Sequence, residues 1–220
     1  MGRVLVACEE SQAVTKEFRK LGHEAYSCDI QECSGGHPEW HIVGNAIKVL
    51  KGGKFKTQSG NIIFIEKWDM LIAHPPCTYM SKAGARWMYP TAGKLSEDRF
   101  EKSQGAKLFF MEFLNSNIDK IVIENPVPLK IVGLPKYTQS VQPYEYGHEF
   151  SKKKTLLWIK GLPDLIPTDV RNDFKPYLPS NTGGKKRGQK YMFKNISQKD
   201  SSKTFPGIAK AMAEQWGKII

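Results

Sequence analysis

The feature that most constrains the fold of this chain is a series of short apolar segments separated by helical patterns. Three of them, Arg3–Cys8, Asp69–Ala73 and Lys120–Glu124, have the length and composition of strands buried on both faces. Helices are predicted to begin at Ser11 and Ser96, where a serine precedes an amphipathic stretch. Because strands that alternate with helices pair in parallel, the sequence predicts an α/β fold with a single doubly wound, mostly parallel sheet.

The remaining segments extend this pattern. Further strands are predicted at Glu24–Asp29 and Thr155–Ile159, and a closing helix at Pro206–Gly217. The first helix is expected to bury residues at helical spacing before Gly22 ends it, and the second helix to bury a mainly aromatic stripe. These inner positions are Val14, Phe18 and Leu21 in the first helix and Ala106, Phe109, Phe110, Phe113 and Leu114 in the second. The glycine-flanked stretch 52–60 is expected to be an exposed turn.

Length and charge bound the functional class. The 220 residues are predicted to form one domain, 1–220, with enough apolar content for a proper core. No stretch of about 18 uncharged apolar residues occurs, so no membrane span is predicted. No signal peptide is apparent, and we expect a cytoplasmic protein. The 33 Lys and Arg against 22 Asp and Glu give a net charge of +11, which favours a polyanionic partner, most simply nucleic acid; no protein partner is predicted.

The basic residues form two clusters. Lys152–Lys154 is the first, and the second lies in residues 163–203, a short, loop-rich, basic insertion. Near Tyr191 this insertion interleaves cations with an aromatic ring, a combination that neutralises phosphates and stacks bases. The cations expected to contact nucleic acid there are Lys185, Lys186, Arg187 and Lys190.

The cysteines are spaced unlike the ligands of a common zinc site, even when His37 and His41 are added. We therefore predict no metal and, in a cytoplasm, reduced thiols. The four cysteines are Cys8, Cys28, Cys33 and Cys77.

Residues suited to covalent chemistry follow two of the predicted strands. His74-Pro75-Pro76-Cys77 follows one strand, and Glu124-Asn125-Pro126 ends another. Open parallel sheets bind ligands beyond the carboxyl ends of their strands, so the two segments are expected to meet. Taken singly, Cys77 fits a small buried residue and Glu124 a capping or paired acid. Together they suit one reaction: a thiolate adds to C6 of a pyrimidine while a protonated acid supplies N3, which makes C5 nucleophilic.

These segments and their order resemble the S-adenosylmethionine-dependent DNA (cytosine-5-)-methyltransferases, in the short form found in bacteriophages and prophages. Residues 69–77 resemble the family's Pro-Cys nucleophile motif, and residues 121–127 resemble its Glu-Asn-Val motif. Residues 151–155 stand where the family has a Gln-x-Arg-x-Arg stretch, and residues 204–213 resemble the closing helix that returns to the cofactor site. The resemblance implies a class I methyltransferase (Rossmann-like) fold, with Cys77 as nucleophile and Glu124 as acid in methyl transfer to C5 of cytosine in DNA through a covalent cysteine–C6 intermediate.

The resemblance also implies a site for S-adenosylmethionine at the ends of the first strands. Asp29 is expected to bind the ribose hydroxyls, and Asn45, where an acid is usual, the adenine amino group. Ala7-Cys8-Glu9-Glu10-Ser11 replaces the family's glycine-rich loop. Either Glu9 or Glu10 receives the cofactor's ammonium group, or these acids stabilise a helix start instead. Pro75 is the last of the residues expected to bind the cofactor.

On the substrate side, Asn125 is expected to position the nucleophile loop or the cytosine amino group. His74 and Lys82 are the nearest candidates in sequence to activate Cys77. The insertion 163–203 stands where the family has a large target-recognition domain, so the resemblance implies a reduced target-recognition segment. Because phosphate contacts carry no sequence information, this segment predicts short or relaxed sequence specificity. The further expected contacts with DNA are Ser81, Lys82, Lys153 and Thr155, of which Thr155 replaces an arginine of the family stretch.

Other activities fit parts of the pattern. The same thiol chemistry with carboxy-S-adenosylmethionine would yield 5-carboxymethylcytosine, and a free cytidine nucleotide is an alternative acceptor. Exocyclic-amine DNA methyltransferases use an Asp/Asn/Ser-Pro-Pro-aromatic loop, whose first and last positions are His74 and Cys77 here; neither suits that chemistry. A non-catalytic DNA-binding decoy of the same fold is the last alternative, and the presence of both Cys77 and Glu124 argues against it.

Overall fold

The computed structural model describes residues 1–148, 154–173 and 203–220. Within these ranges the chain forms nine strands, seven in a central sheet and two in a separate hairpin. The strands are β1 (Arg3–Ala7), β2 (Glu24–Asp29), β3 (His41–Val43), β4 (Gly53–Lys56), β5 (Ile62–Ile65), β6 (Met70–Ala73), β7 (Ile121–Pro126), β8 (Gln139–Val141) and β9 (Thr155–Lys160). β4 and β5 form the hairpin, and the other strands form the sheet.

The central sheet has the strand order β3-β2-β1-β6-β7-β9-β8. The first five strands in this order run parallel, and β9 is antiparallel to both of its neighbours. The strand order reverses between β1 and β6, and such switch points are where open α/β sheets bind ligands. The predicted fold class, a doubly wound and mostly parallel Rossmann-like sheet, is confirmed.

Helices cover both faces of the sheet. Those of the described residues are α1 (Ala13–Lys20), α2 (Ala85–Met88), α3 (Glu97–Leu114) and α4 (Pro206–Trp216). α1 and α4 pack against each other on one face, where Phe18 and Met212 share a core with Val4. On the other face, Phe110 of α3 packs in a second core with Leu5. Neighbouring residues of β1 thus face opposite cores, which explains why its sequence is apolar throughout.

The ends of α1 differ from the sequence prediction. The residue before the helix is Gln12, in a left-handed conformation, and the carboxylate of Glu9 rather than Ser11 accepts most of the first N–H groups. Leu21 is 50% exposed, so its expected place on the inner face is wrong. The helix ends one residue earlier, and the chain turns before this side chain reaches the core. The buried positions Val14 and Phe18 are confirmed.

Three other regions refine the predicted pattern. The stretch 52–60 is more than a turn, because its first residues form β4 and pair with β5. Residues 163–173 of the predicted insertion form no helix or strand, and residues 174–202 lie outside the described residues. The inner stripe of α3 is confirmed, since Phe110 and Phe113 are buried and its other members pack against the same core. Among the described residues, no helix is both long and apolar enough to cross a membrane.

Candidate active site

The parallel pairing of β6 with β7 brings together the two segments that carry the expected chemistry. The pairing aligns Ala73 with Ile123, so the residues that follow, His74 and Glu124, lie side by side. Nδ1 of His74 is 3.0 Å from Oε2 of Glu124, and each side chain is 14% exposed. At this distance and burial the contact is a strong, charge-assisted hydrogen bond whenever the imidazole is protonated.

Glu124 also receives a hydrogen bond from the segment that precedes α4. The hydroxyl of Thr204 donates to the same oxygen, Oε2, at 3.1 Å, across 80 residues of sequence. Two partners on one oxygen restrict rotation of the carboxyl group. The sequence indicates that residues 204–213 return to the site, but no local pattern singles out Thr204.

Asn125 connects β7 to the nucleophile loop, residues 74–84. Its side-chain nitrogen donates a hydrogen bond of 2.8 Å to the carbonyl of Pro75, and the residue is 2% exposed. Its side-chain oxygen is also buried and has no hydrogen-bond partner among the described residues. A buried oxygen without a partner costs about 1–3 kcal/mol, so a bound group with an N–H would be stabilised there.

Backbone hydrogen bonds hold the nucleophile loop against the segment that follows β7. The Lys82 N–H donates to the carbonyl of Val127 at 2.9 Å, and the Leu129 N–H donates to the carbonyl of Met80 at 2.8 Å. Inside the loop, the carbonyl of Cys77 accepts hydrogen bonds from the N–H groups three and four residues later, so a tight turn begins at the cysteine. The partly exposed Cys77 is therefore carried on a braced loop.

The loop after β1 turns sharply without a glycine. Cys8 and Gln12 have φ angles of 59° and 56°, in the left-handed region that residues other than glycine rarely adopt. Side-chain hydrogen bonds between Gln12 and the backbone of His37 hold one of these residues in place. Strain of this kind costs about 1–3 kcal/mol for each residue and clusters at functional sites. The turn that glycines would make is made here by two strained residues.

Glu9 is engaged with α1. Its carboxylate accepts hydrogen bonds from the Val14 N–H at 2.6 Å and from the N–H and hydroxyl of Thr15 at 3.3 and 2.7 Å. Burial raises the pKa of Glu9, and this outweighs the lowering by the charge of His74 and by these hydrogen bonds. Of the two acids considered for the cofactor's ammonium group, Glu9 thus stabilises the start of a helix, which leaves Glu10 as the candidate.

The other cofactor candidates lie at the carboxyl ends of adjacent parallel strands. Asp29 ends β2, and its Oδ1 accepts a hydrogen bond from the Gln31 N–H at 2.9 Å. Asn45 follows β3, and its side-chain oxygen accepts one from the Ile47 N–H at 3.0 Å. Ile30, which no sequence pattern singled out, is 77% exposed directly after Asp29. The candidates at the ends of β1 and β6 are Ala7, Cys8, Glu10, Ser11 and Pro75.

Burial distinguishes two of the four cysteine thiols from the other two. Burial, with a smaller contribution from the Asp29 carboxylate, raises the pKa of Cys8 far above its ordinary value and that of Cys28 to about 12. Both groups therefore stay protonated at neutral pH and are poor nucleophiles. Cys33 and Cys77 are partly exposed, and none of the four forms a disulfide. Of these two partly exposed cysteines, Cys77 lies on the nucleophile loop, which Asn125 holds through its hydrogen bond to Pro75.

Some of the expected substrate contacts lie at the same edge of the sheet. β9 aligns Thr155 with Pro126, the residue after Asn125, and Ser81 forms a β-bridge with Pro128. Thr155 and Ser81 are both buried. Lys82, in the nucleophile loop, is exposed. The other expected contacts lie outside the described residues; they are Lys153, Lys185, Lys186, Arg187 and Lys190.

The helix that follows the nucleophile loop presents an exposed cation and aromatic ring. In α2, the Arg86 guanidinium is 4.6 Å from the ring centre of Trp87, which is 55% exposed. Arg99 of α3 supports the loop itself, since it donates a hydrogen bond of 2.6 Å to the carbonyl of Thr78. The residues predicted to contact DNA did not include the α2 pair, although the same signal, a cation beside an aromatic residue, marked residues 185–191.

No protein-family model matches the chain, and no curated protein matches its sequence. Among solved structures, the chain resembles one provisionally assigned as a DNA modification methyltransferase encoded within a prophage of E. coli. The likeness covers 78% of this chain and 52% of that one, with 12% sequence identity and a TM-score of 0.43. The chain therefore spans about half the length of that protein. A likeness this weak assigns no activity to the chain.

Proposed function

We propose that this protein is an S-adenosylmethionine-dependent DNA methyltransferase that acts on C5 of cytosine through a covalent intermediate. One arrangement supports the proposal above all others. The loop that carries Cys77 is hydrogen-bonded to Asn125, and the adjoining Glu124 is fixed by His74 and Thr204. A thiol and an oriented carboxyl group at one strand-end edge are the two groups that this reaction requires.

In the proposed reaction, cytosine first leaves the duplex stack, at a cost of a few kcal/mol. The Cys77 thiolate then forms a bond to C6 while Glu124 supplies a proton to N3, and the electrons of the C5–C6 double bond become available at C5. After methyl transfer, C5 gives up its proton to a base and the C6–sulfur bond breaks. The double bond re-forms, the thiolate leaves, and the N3 proton returns to Glu124.

The edge formed by β1, β2 and β3 fits S-adenosylmethionine. Asp29 would accept hydrogen bonds from the ribose hydroxyls, and the exposed Ile30 would cover one face of the adenine. Asn45 has a second lone pair on its side-chain oxygen for the adenine amino group, and Glu10 would pair with the ammonium group. When bound, S-adenosylmethionine supplies an electrophilic methyl group on its sulfonium sulfur.

The charge of the chain and the α2 pair support DNA as the acceptor. A net charge of +11 favours a polyanion, and phosphate contacts provide most of the affinity in such complexes. The exposed Trp87 is suited to stacking on a base, with Arg86 beside it for a phosphate. Thr155 pairs with Pro126 and Ser81 with Pro128, and both residues are buried, so we assign them to the walls of the base pocket rather than to phosphate contacts.

Mass spectrometry of nucleosides from the DNA of a host that expresses the protein tests the reaction. We expect 5-methylcytosine with the wild type and with Cys33→Ala, a control at the other partly exposed thiol, and none with Cys77→Ala. Formation of 5-carboxymethylcytosine would indicate the carboxylated donor, and modified cytidine nucleotides with unmodified DNA would indicate a free-nucleotide acceptor. An N-methylated base would contradict thiol chemistry, and a wild type without any product would point to a DNA-binding decoy.

A trapped intermediate tests the covalent step itself. DNA that contains 5-fluorocytosine is expected to form a stable adduct with the wild type, because fluorine cannot leave C5 as the proton does. Peptide mapping is expected to locate the adduct at Cys77. Its location at Cys8, Cys28 or Cys33 would overturn the mechanism.

A further inference from the structure

The contact between His74 and Glu124 points to a further functional residue. We propose that His74 is a positioning residue that holds the proton which Glu124 delivers to N3 of cytosine. The inference rests on the proposed function, which requires this proton but does not specify where the enzyme keeps it.

A carboxyl group alone is a poor store for a proton at neutral pH. With an ordinary pKa near 4.3, a glutamate is protonated in well under about 1% of molecules at pH 7, whereas an imidazole with a pKa near 6.5 keeps its proton far more often. The distance of 3.0 Å between Nδ1 of His74 and Oε2 of Glu124 is that of one hydrogen bond. As N3 takes a proton from Glu124, the proton on Nδ1 moves to the carboxylate, and the imidazolium becomes neutral imidazole. The transfer reverses when N3 gives its proton back.

Two acidic side chains from different elements lie close to His74, and an ionised carboxylate stabilises a neighbouring imidazolium. Glu124 of β7 contacts the ring, and Glu9, from the loop after β1, is close enough for the charge of His74 to lower its pKa. The backbone N–H of His74 donates to the carbonyl of Ala7 at 2.9 Å, which ties the residue to the end of β1. Cys77 lies in the same loop, and the ring of His148 packs against Phe205, the residue after Thr204. The Glu124 side chain is only 14% exposed, so a neighbouring cation offsets part of the cost of removing its charge from water, and a protonated His74 is such a cation.

Thr204 sets the geometry of the transfer. Its hydroxyl donates to the same carboxylate oxygen that His74 contacts. Rotation of the Glu124 carboxyl group would break both contacts, so the acceptor stays in place while the base enters. A short path that is set before the reaction avoids reorganisation during it.

The first experiment measures the shared proton without catalysis. The pKa of His74 is followed by NMR of the imidazole protons without DNA, with the resonance identified by its loss in His74→Asn. In Glu124→Gln we expect this pKa to fall by at least about one unit, because a neighbouring carboxylate stabilises the imidazolium. His37, which lies 3.0 Å from Glu39 in a more exposed pair, serves as the matched control and reports that the variant is folded. An unchanged pKa of His74 would overturn the proposal.

The second experiment measures how fast DNA with 5-fluorocytosine forms the adduct as a function of pH. Asparagine places an N–H near the position of Nδ1 but has no proton to give at neutral pH. The rate of His74→Asn is expected to be at least about tenfold below the wild type at pH 8. This deficit is expected to shrink as the pH is lowered, because Glu124 then holds its own proton, while cofactor affinity is unchanged and His37→Asn behaves as the wild type. If the pH profile of His74→Asn matched that of the wild type, or if its rate were reduced by the same factor at every pH, His74 would have only a structural role and the inference would be overturned.

The experiments distinguish a failure of the proposed function from a failure of the inference on His74. A wild type that forms no adduct at any pH overturns the proposed function and, with it, this inference. A wild type that forms the adduct normally, with a His74 pKa that does not respond to Glu124→Gln, overturns this inference alone.

Discussion

The imidazole of His74 and the carboxylate of Glu124 meet 3.0 Å apart at the ends of two neighbouring parallel strands. Their contact follows from the register of the sheet, which aligns the preceding residues Ala73 and Ile123. Thr204 reaches the same carboxylate from the far end of the chain. The candidate acid is therefore held by two partners from two other segments of the chain.

Replacement of Asn125 tests the brace on the nucleophile loop. Asn125→Ala removes the hydrogen bond to Pro75 and is expected to lower the free energy of unfolding by about 1–3 kcal/mol. The single-turnover rate of methyl transfer should fall more than the affinity for S-adenosylmethionine, because the loop that aims the thiolate loses its support. Urea denaturation and single-turnover assays measure the two effects, with the exposed Asn117→Ala as control. A wild-type rate in Asn125→Ala would show that the brace is dispensable.

Replacement of Glu9 tests the buried acid at the start of α1. Its pKa is raised by burial, so the folded state binds the proton more tightly than the unfolded state. The resulting stabilisation is present below the ordinary pKa of about 4.5 and is lost as the pH rises through the raised one. Glutamine does not ionise, so only the wild type loses this stabilisation as the pH rises. The free energy of unfolding of Glu9→Gln, minus that of the wild type, is therefore expected to increase between about pH 4.5 and pH 7 in urea unfolding. A decrease over this range would contradict the assignment; Glu17→Gln, also on α1, is the control.

Alkylation tests which of the four cysteine thiols are reactive in the native protein. At pH 8, iodoacetamide is expected to modify Cys77 in the native protein and to leave Cys8 and Cys28 intact, because the pKa values of both are raised by burial. All four cysteines should react after denaturation. Peptide mass mapping reads the sites, and equal labelling of Cys8 and Cys77 in the native state would be incompatible with this account.

Replacement of Asp29 tests the cofactor edge. Asp29→Ala would lose charge-assisted hydrogen bonds to the ribose, each worth about 1.5–3 kcal/mol before solvent exposure reduces it. Titration calorimetry should therefore show at least about tenfold weaker binding of S-adenosylmethionine. Asp119→Ala, at the opposite edge of the sheet before β7, is the matched control. Equal affinity of Asp29→Ala and the wild type would place the ribose elsewhere.

Salt dependence tests the basic segments. Each phosphate contact that is removed should flatten the slope of log affinity against log salt by about 0.9 for duplex DNA. Neutralising Lys185, Lys186 and Arg187 together tests the insertion, and Arg86→Gln tests the α2 pair. Lys210→Gln, whose side chain lies 3.7 Å from Glu214 on α4, serves as control. If none of these substitutions altered the slope, both segments would be solvated surface that does not contact DNA.

The sequence predicted the elements of the fold well where the signal is local. An apolar run flanked by proline or polar residues marks a strand buried on both faces, and this held for β1, β6 and β7. It failed at α1, where a strained turn at Gln12 allows Glu9 to reach the first N–H groups of the helix. Helical periodicity reports neither this turn nor the end of the helix at Lys20, and the second omission extended the predicted inner face to Leu21.

The sequence by itself determined which residues follow the buried strands, and hence that Cys77, Glu124 and Asp29 lie toward one edge of the sheet. Parallel pairing of apolar strands is enough for that result. Only the tertiary structure decided that His74 contacts Glu124, that Asn125 holds Pro75 and that Thr204 returns to the same carboxylate. These contacts join residues far apart in the chain and depend on strand register and on the docking of α4, which emerge only when the whole core packs.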